Sequence, residues 1–129
     1  MLSRTLMRLD HINIAAPFDL LESVRDFYCA VLDLKVGFRP DFSDRGFWLY
    51  SDDKPLVHLS ERSERKAGQQ PGTLDHVAFR SSGLDAMKNR LADCGIEYRS
   101  GYIAEFNMTQ LFFKDPAGTG LEVSFVDEC

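Results

Sequence analysis

Cysteine is scarce in this chain: the three, Cys29, Cys94 and Cys129, lie far apart with no CxxC spacing. That pattern excludes a disulfide framework, a zinc knuckle and a dithiol redox pair, and it suits a reducing, cytoplasmic setting. Cys94 falls on the apolar side of an expected helix and reads as a small core residue. No basic stripe exists either. The formal charge is −5 over 129 residues, and basic residues are interleaved with acids, as in "ERSERK" at 61–66, which reads as a solvated loop. A nucleic-acid groove needs clustered lysine and arginine, so nucleic acid is not an expected partner. Long apolar runs are also missing, and "MLSRTLMRLD" at the start breaks its apolar residues with charge, so neither a signal peptide nor a membrane span is expected. With 44% apolar and 27% charged residues, the composition is that of one globular domain covering 1–129.

The chain does contain an internal repeat. "LDHINIA" at 9–15 matches "LDHVAFR" at 74–80, so that His11 and His76 stand 65 residues apart. "FWLYSDDKPLVHL" at 47–59 lies without a gap over "LFFKDPAGTGLEV" at 111–123, which sets His58 over Glu122, 64 residues on. Both halves open and close alike. They are expected as two modules at 8–60 and 74–127, divided by the polar stretch 61–73, which ends in Pro71, Gly72 and Thr73 and reads as a linker.

Each half carries one helical pattern. Leu20, Leu21, Val24, Phe27, Tyr28, Val31 and Leu32 form one face in the first; Leu84, Met87, Leu91 and Cys94 form the other. Ser82 with Asp85 reads as a capping box and Gly95 as the C-terminal cap, where the first half has Asp33. Strand-like runs follow at 35–38, 47–51 and 56–60, then at 96–99, within 103–113, and at 121–126, with "SDDK" at 51–54 and "DPAG" at 115–118 as turns. The expected class is α+β: two tandem βαβββ modules forming a curved, partly open, barrel-like mixed sheet with helices outside.

Strand alternation then assigns faces. Ile12 and Ile14 face a helix, leaving His11 and Asn13 for the cleft; Val77 and Phe79 do the same for His76. Val57 and Leu59 flank His58, and Leu121, Val123 and Phe125 alternate with Glu122 and Ser124. The three histidines of the chain fall on positions that the repeat makes equivalent, with a glutamate in the fourth. Neutral imidazole and carboxylate are donors for a borderline divalent ion, so His11, His58, His76 and Glu122 are the candidate ligands. His58 has a second candidate role, standing behind the ion to orient or protonate.

The motifs "LDHINI", "FY" with "VLDL" at 27–34, "LDHVAF" and "FFKDPAGTGLEV" resemble the vicinal oxygen chelate superfamily, which includes glyoxalase I, methylmalonyl-CoA epimerase, fosfomycin-resistance proteins, extradiol dioxygenases and bleomycin-binding proteins. The resemblance covers nearly the whole chain. It implies a paired βαβββ fold, one divalent metal ion (zinc, nickel, cobalt, manganese or ferrous iron), a small-molecule substrate that chelates it through adjacent oxygens, and a homodimer. By motif, His11, His76 and Glu122 fall where the family places ligands, and His58 where glyoxalase I has a carboxylate.

The expected function is a glyoxalase-like lyase or isomerase acting on a small polar metabolite, with Glu122 or His58 moving the proton. One alternative is an extradiol-type dioxygenase, since two histidines and a glutamate form the facial triad of non-haem Fe(II), although Phe112 stands where a tyrosine would suit that chemistry. Another is a binding or resistance protein without turnover, its pocket lined by Phe47, Trp48, Tyr50, Tyr102 and Phe106. A thiol-transferase role would draw on Arg80, Arg99 and Lys114. From strand parity, Asn13, Tyr50, Arg80 and Gln110 are the candidate substrate contacts.

Overall fold

The computed structural model describes residues 9–66 and 74–128. Residues 67–73 of the expected linker lie outside that description, as do Cys129 and the first eight residues. The first half runs β1 (Ile12–Ala16), α1 (Phe18–Val31), β2 (Lys35–Gly37), β3 (Gly46–Ser51) and β4 (Lys54–Glu61). The second runs β5 (Val77–Arg80), α2 (Leu84–Asp93), β6 (Arg99–Ile103), β7 (Met108–Lys114) and β8 (Gly120–Val126). Both halves build the same mixed sheet, ordered β1-β4-β3-β2 and β5-β8-β7-β6, with the first strand parallel to the last and the others antiparallel.

The α+β class is as expected, but the described strands form two separate four-stranded sheets, not one continuous one. β1 and β5 are edge strands, each paired only to the closing strand of its own half. The halves join through their helical sides. α1 touches α2, the Phe27 and Phe113 rings lie 6.2 Å apart, and Arg90 Nε donates to Val31 O at 2.9 Å. Tyr28 Oη donates to Asp115 Oδ2 at 2.7 Å across the same seam. Burial agrees with the parity argument in β4, where Val57 and Leu59 are buried and His58 is not, but in β8 every residue from Leu121 to Phe125 is buried, Glu122 and Ser124 included. The apolar residues of both halves form one core.

Helix ends show where local sequence misleads. Gly83, with φ 87°, occupies the N-cap of α2, and neither Ser82 nor Asp85 caps it. The carboxylate of Glu128 does so from the far end of the chain, accepting from Gly83 N at 3.0 Å and Leu84 N at 2.8 Å. A negative charge there also meets the positive end of the helix dipole. Glu128→Ala is expected to cost about 1 kcal/mol, read as a lowered urea midpoint. Cys94 is exposed at the C-cap, beyond the last helical residue, and is not in the core. Gly95 (φ 68°) and Asp33 (φ 58°) both take the left-handed conformation that ends the helices. β6 starts at Arg99 and not at Ile96, because Ile96 is drawn onto the core while its N–H bonds Leu91 O at 2.8 Å.

Candidate metal centre

The repeated "LDH" delivers the same local device twice. His11 Nδ1 lies 2.7 Å from Asp10 Oδ2, and His76 Nδ1 lies 2.8 Å from Asp75 Oδ2. A carboxylate only accepts, so in each pair Nδ1–H is the donor. A neutral imidazole fixed in this way presents the Nε2 lone pair, the form a metal requires. Gly120 makes room for the second copy: a Cβ there would meet Asp75 O at 2.6 Å and His76 Cβ at 3.2 Å.

In the second half, His76 Nε2 stands 3.3 Å from Glu122 Oε1. The other carboxylate oxygen is occupied, Oε2 accepting from Gln110 Nε2 at 3.0 Å and from Ser124 Oγ at 2.7 Å. Gln110 and Ser124 thereby aim Oε1 at the histidine, and Glu122 is itself buried. With Nδ1–H committed to Asp75, the contact between Nε2 and Oε1 is bridged either by a proton on Nε2 or by a cation between the two atoms. Two ligand atoms bound at about 2.0–2.1 Å around a tetrahedral ion are separated by roughly 3.3 Å, so this pair fits a divalent ion.

The first half is arranged differently. The His11 and His58 rings stack at 3.8 Å with 10° between their planes, and Trp48 stacks on the other side of His58 at 4.0 Å and 13°. An ion must lie near the plane of each ring that binds it, and two parallel planes so far apart share no such point. In this conformation His11 and His58 therefore cannot both bind one ion. His58 Nε2–H donates to Pro55 O at 3.1 Å. Burial, with the neighbouring His11 adding to it, holds its pKa below the usual histidine value. His58 is consequently neutral at physiological pH.

The four candidate ligands thus form two pairs, His11 with His58 and His76 with Glu122. Among the described residues no group of three or more histidine, cysteine or acidic side chains could hold an ion. Of the candidate substrate contacts, Gln110 touches Glu122, and Asn13 Oδ1 accepts from Ser60 Oγ at 2.8 Å. Tyr50 Oη donates to Phe38 O at 2.7 Å, its ring lying where a Gly37 Cβ would be. Arg80 is exposed on the face shared with Ser124. Asp10 and Asp75 were not anticipated from the sequence, although both stood inside the repeated motif, and neither were the bond of Ser124 to Glu122 and the stacking role of Trp48. Of the aromatics proposed for a pocket, Phe47 stacks on Phe18 at 5.6 Å, and Tyr102 and Phe106 are exposed.

A cleft of about 980 Å³ opens beside His76, lined also by Tyr98, Arg99, Phe112 and Lys114. Among the described residues, no helix is long and apolar enough to cross a membrane.

Fold and motifs together define a vicinal oxygen chelate protein. A family model for the glyoxalase/bleomycin resistance protein/dioxygenase superfamily matches residues 8–123, and the chain belongs to that superfamily. Solved structures agree on the fold. A glyoxalase family protein from Bacillus anthracis is 20% identical with a TM-score of 0.76, covering 98% of this chain and 100% of its own. A glyoxylase/bleomycin resistance protein/dioxygenase domain from Frankia sp. EAN1pec is 21% identical with a TM-score of 0.74, the coverage being 95% and 99%. Lactoylglutathione lyase from Agrobacterium tumefaciens is 17% identical with a TM-score of 0.65, the coverage being 95% and 96%. No curated protein matches the chain.

Proposed function

We propose that this chain is a metal-dependent enzyme, a glyoxalase-like lyase or isomerase acting on a small polar metabolite that chelates the ion through adjacent oxygens. The observation that carries this is the 3.3 Å approach of His76 Nε2 to Glu122 Oε1, with every other polar atom of the pair already engaged. His11, His76 and Glu122 would hold one divalent ion, which supplies Lewis-acid polarisation of a substrate carbonyl. Glu122, kept from water and steadied by Gln110 and Ser124, is placed to move a proton at Oε1. His58, neutral and wedged between Trp48 and His11, is the second proton carrier at its free Nδ1.

A homodimer completes the site in this reading: the His11 side of one copy meets the His76–Glu122 side of another. Support comes from the open edges of β1 and β5 and from Leu9 and Leu74, which are 76% and 66% exposed directly before the two Asp–His pairs.

The test is subunit complementation with metal analysis. His11→Ala and Glu122→Gln chains, each alone, are expected to retain almost no tightly bound metal. Mixed dimers of the two should recover one intact site in two, because both lesions fall in the same composite site. A mixture as empty as its parents would sink the shared site. Turnover is followed as deuterium wash-in beside the carbonyl of α-hydroxyketones and thiohemiacetals by metal-reloaded protein. Oxygen uptake with a catechol panel under ferrous iron, in place of that exchange, would move the assignment to dioxygenation.

A further inference from the structure

We infer that the substrate of this site is an anion, whose carboxylate or phosphate is held by Arg99 and Lys114 while its vicinal oxygens meet the ion; this rests on the metal reading above. Both cations line the cleft beside His76. Neither forms an ion pair among the described residues, whereas Arg39, Arg45 and Arg62 are taken up by carboxylates. What sets Arg99 and Lys114 apart from the other unpaired cations, such as Arg80 and Lys88, is that they share one cleft with His76.

Arg99 opens β6 as Lys35 opens β2, and the contrast between them is informative. Lys35 is neutralised by Asp33 at 2.8 Å, whereas Arg99 lies over the Phe112 ring at 4.5 Å with no carboxylate on it. Stacking on an aromatic face fixes the guanidinium plane while leaving its N–H edge free to grip two oxygens. Of the acidic wall residues, Asp75 is committed to His76, and Glu97 stands on the loop entering β6.

Register sets the reach. Phe112 pairs with Glu122 on one side and with Arg99 on the other, so Glu122 and Arg99 are two strand spacings apart, about 10 Å between backbones. Lys114 pairs with Gly120, which packs on His76, and so stands at the same remove one row over. Side chains from both ends shorten that span. The ligand that fits is a small metabolite with two chelating oxygens at one end and an anionic group a few bonds away.

The experiment compares three hydroxamate chelators by calorimetry on zinc-loaded protein: acetohydroxamate, N-hydroxysuccinamate with a carboxylate tail, and phosphonoacetohydroxamate with a phosphonate tail. A tail should raise affinity about 10-fold or more over acetohydroxamate, as charge-assisted bonds to two cations allow. Whichever tail gains more identifies the anion. Arg99→Gln with Lys114→Gln should abolish that gain and leave acetohydroxamate binding unchanged, while Lys35→Gln alters neither. A tail without advantage, or an advantage that survives the double variant, overturns the proposal. Failure of acetohydroxamate itself to bind would instead sink the metal reading. Inorganic phosphate titrated onto metal-free protein, followed at the Arg99 side-chain NMR signals, then decides the anion site alone: a shift lost in Arg99→Gln upholds it, and no shift overturns it.

Discussion

Glu122→Gln is expected to weaken divalent-ion binding about 100-fold or more, and Asp75→Asn, one bond further out, about 10- to 100-fold. The first change replaces an anionic donor with a neutral amide at the one oxygen, Oε1, that Gln110 and Ser124 leave uncommitted. The second leaves His76 in place but swaps the carboxylate that accepts from its Nδ1–H for a neutral amide, a weaker acceptor that can also turn its NH2 to the ring and favour the wrong tautomer. Asp10→Asn should repeat the Asp75 effect, since the same pair holds His11. Competition against a chromophoric chelator at pH 7 measures all three. Equal affinity in Glu122→Gln and the parent would remove Glu122 from the ligand set. The ordering, glutamate above aspartates, separates direct ligation from support.

The second large effect concerns the seam between the halves. Asp115 is buried without a cation; its Oδ2 accepts from Tyr28 Oη at 2.7 Å, and its Oδ1 from Ala117 N and Thr119 N, both at 2.9 Å. Asp115→Ala strands a buried hydroxyl and two turn N–H groups, and is expected to cost about 3 kcal/mol, a fall in Tm of roughly 10 °C. Tyr28→Phe removes one bond to a charged acceptor and should cost about 1.5–3 kcal/mol. The tyrosine also sets an alkaline limit. Burial, then the Asp115 charge, then their hydrogen bond push its pKa far above the ordinary value. Above about pH 10 the unfolded chain loses that phenolic proton while the folded one keeps it, so unfolding releases a proton and stability falls as pH rises. Urea midpoints of parent and Tyr28→Phe between pH 8 and 11 check the sign: the gap should narrow with rising pH. A constant gap would show that the folded tyrosine ionises as freely as the unfolded one.

Much of this was legible in the residues because period and repetition are local signals. "LDH" twice, the alternation around His58, and the α1 stripe each survive translation into coordinates, and Gly95 and "DPAG" were readable from backbone chemistry alone, whereas around Glu122 the whole strand is buried. Distant partners were not legible. Nothing near Ser82 reveals that Glu128 caps α2, and nothing near Ile96 reveals that core packing defers the strand to Arg99. Parity put His11 and His58 on one face, yet it could not show that they stack, since ring orientation depends on Trp48 behind them. Nor could spacing decide which faces of the two halves meet: the chain joins them through α1, α2 and Asp115, leaving the histidine edges open.

Trp48 is the single tryptophan of the sequence, and it lies flat against His58. An indole in that position senses the charge and tilt of the imidazole it covers, so ultraviolet emission doubles as a built-in gauge of the first half-site. Any event that reprotonates or turns His58 is expected to be readable there in real time, without attaching a dye.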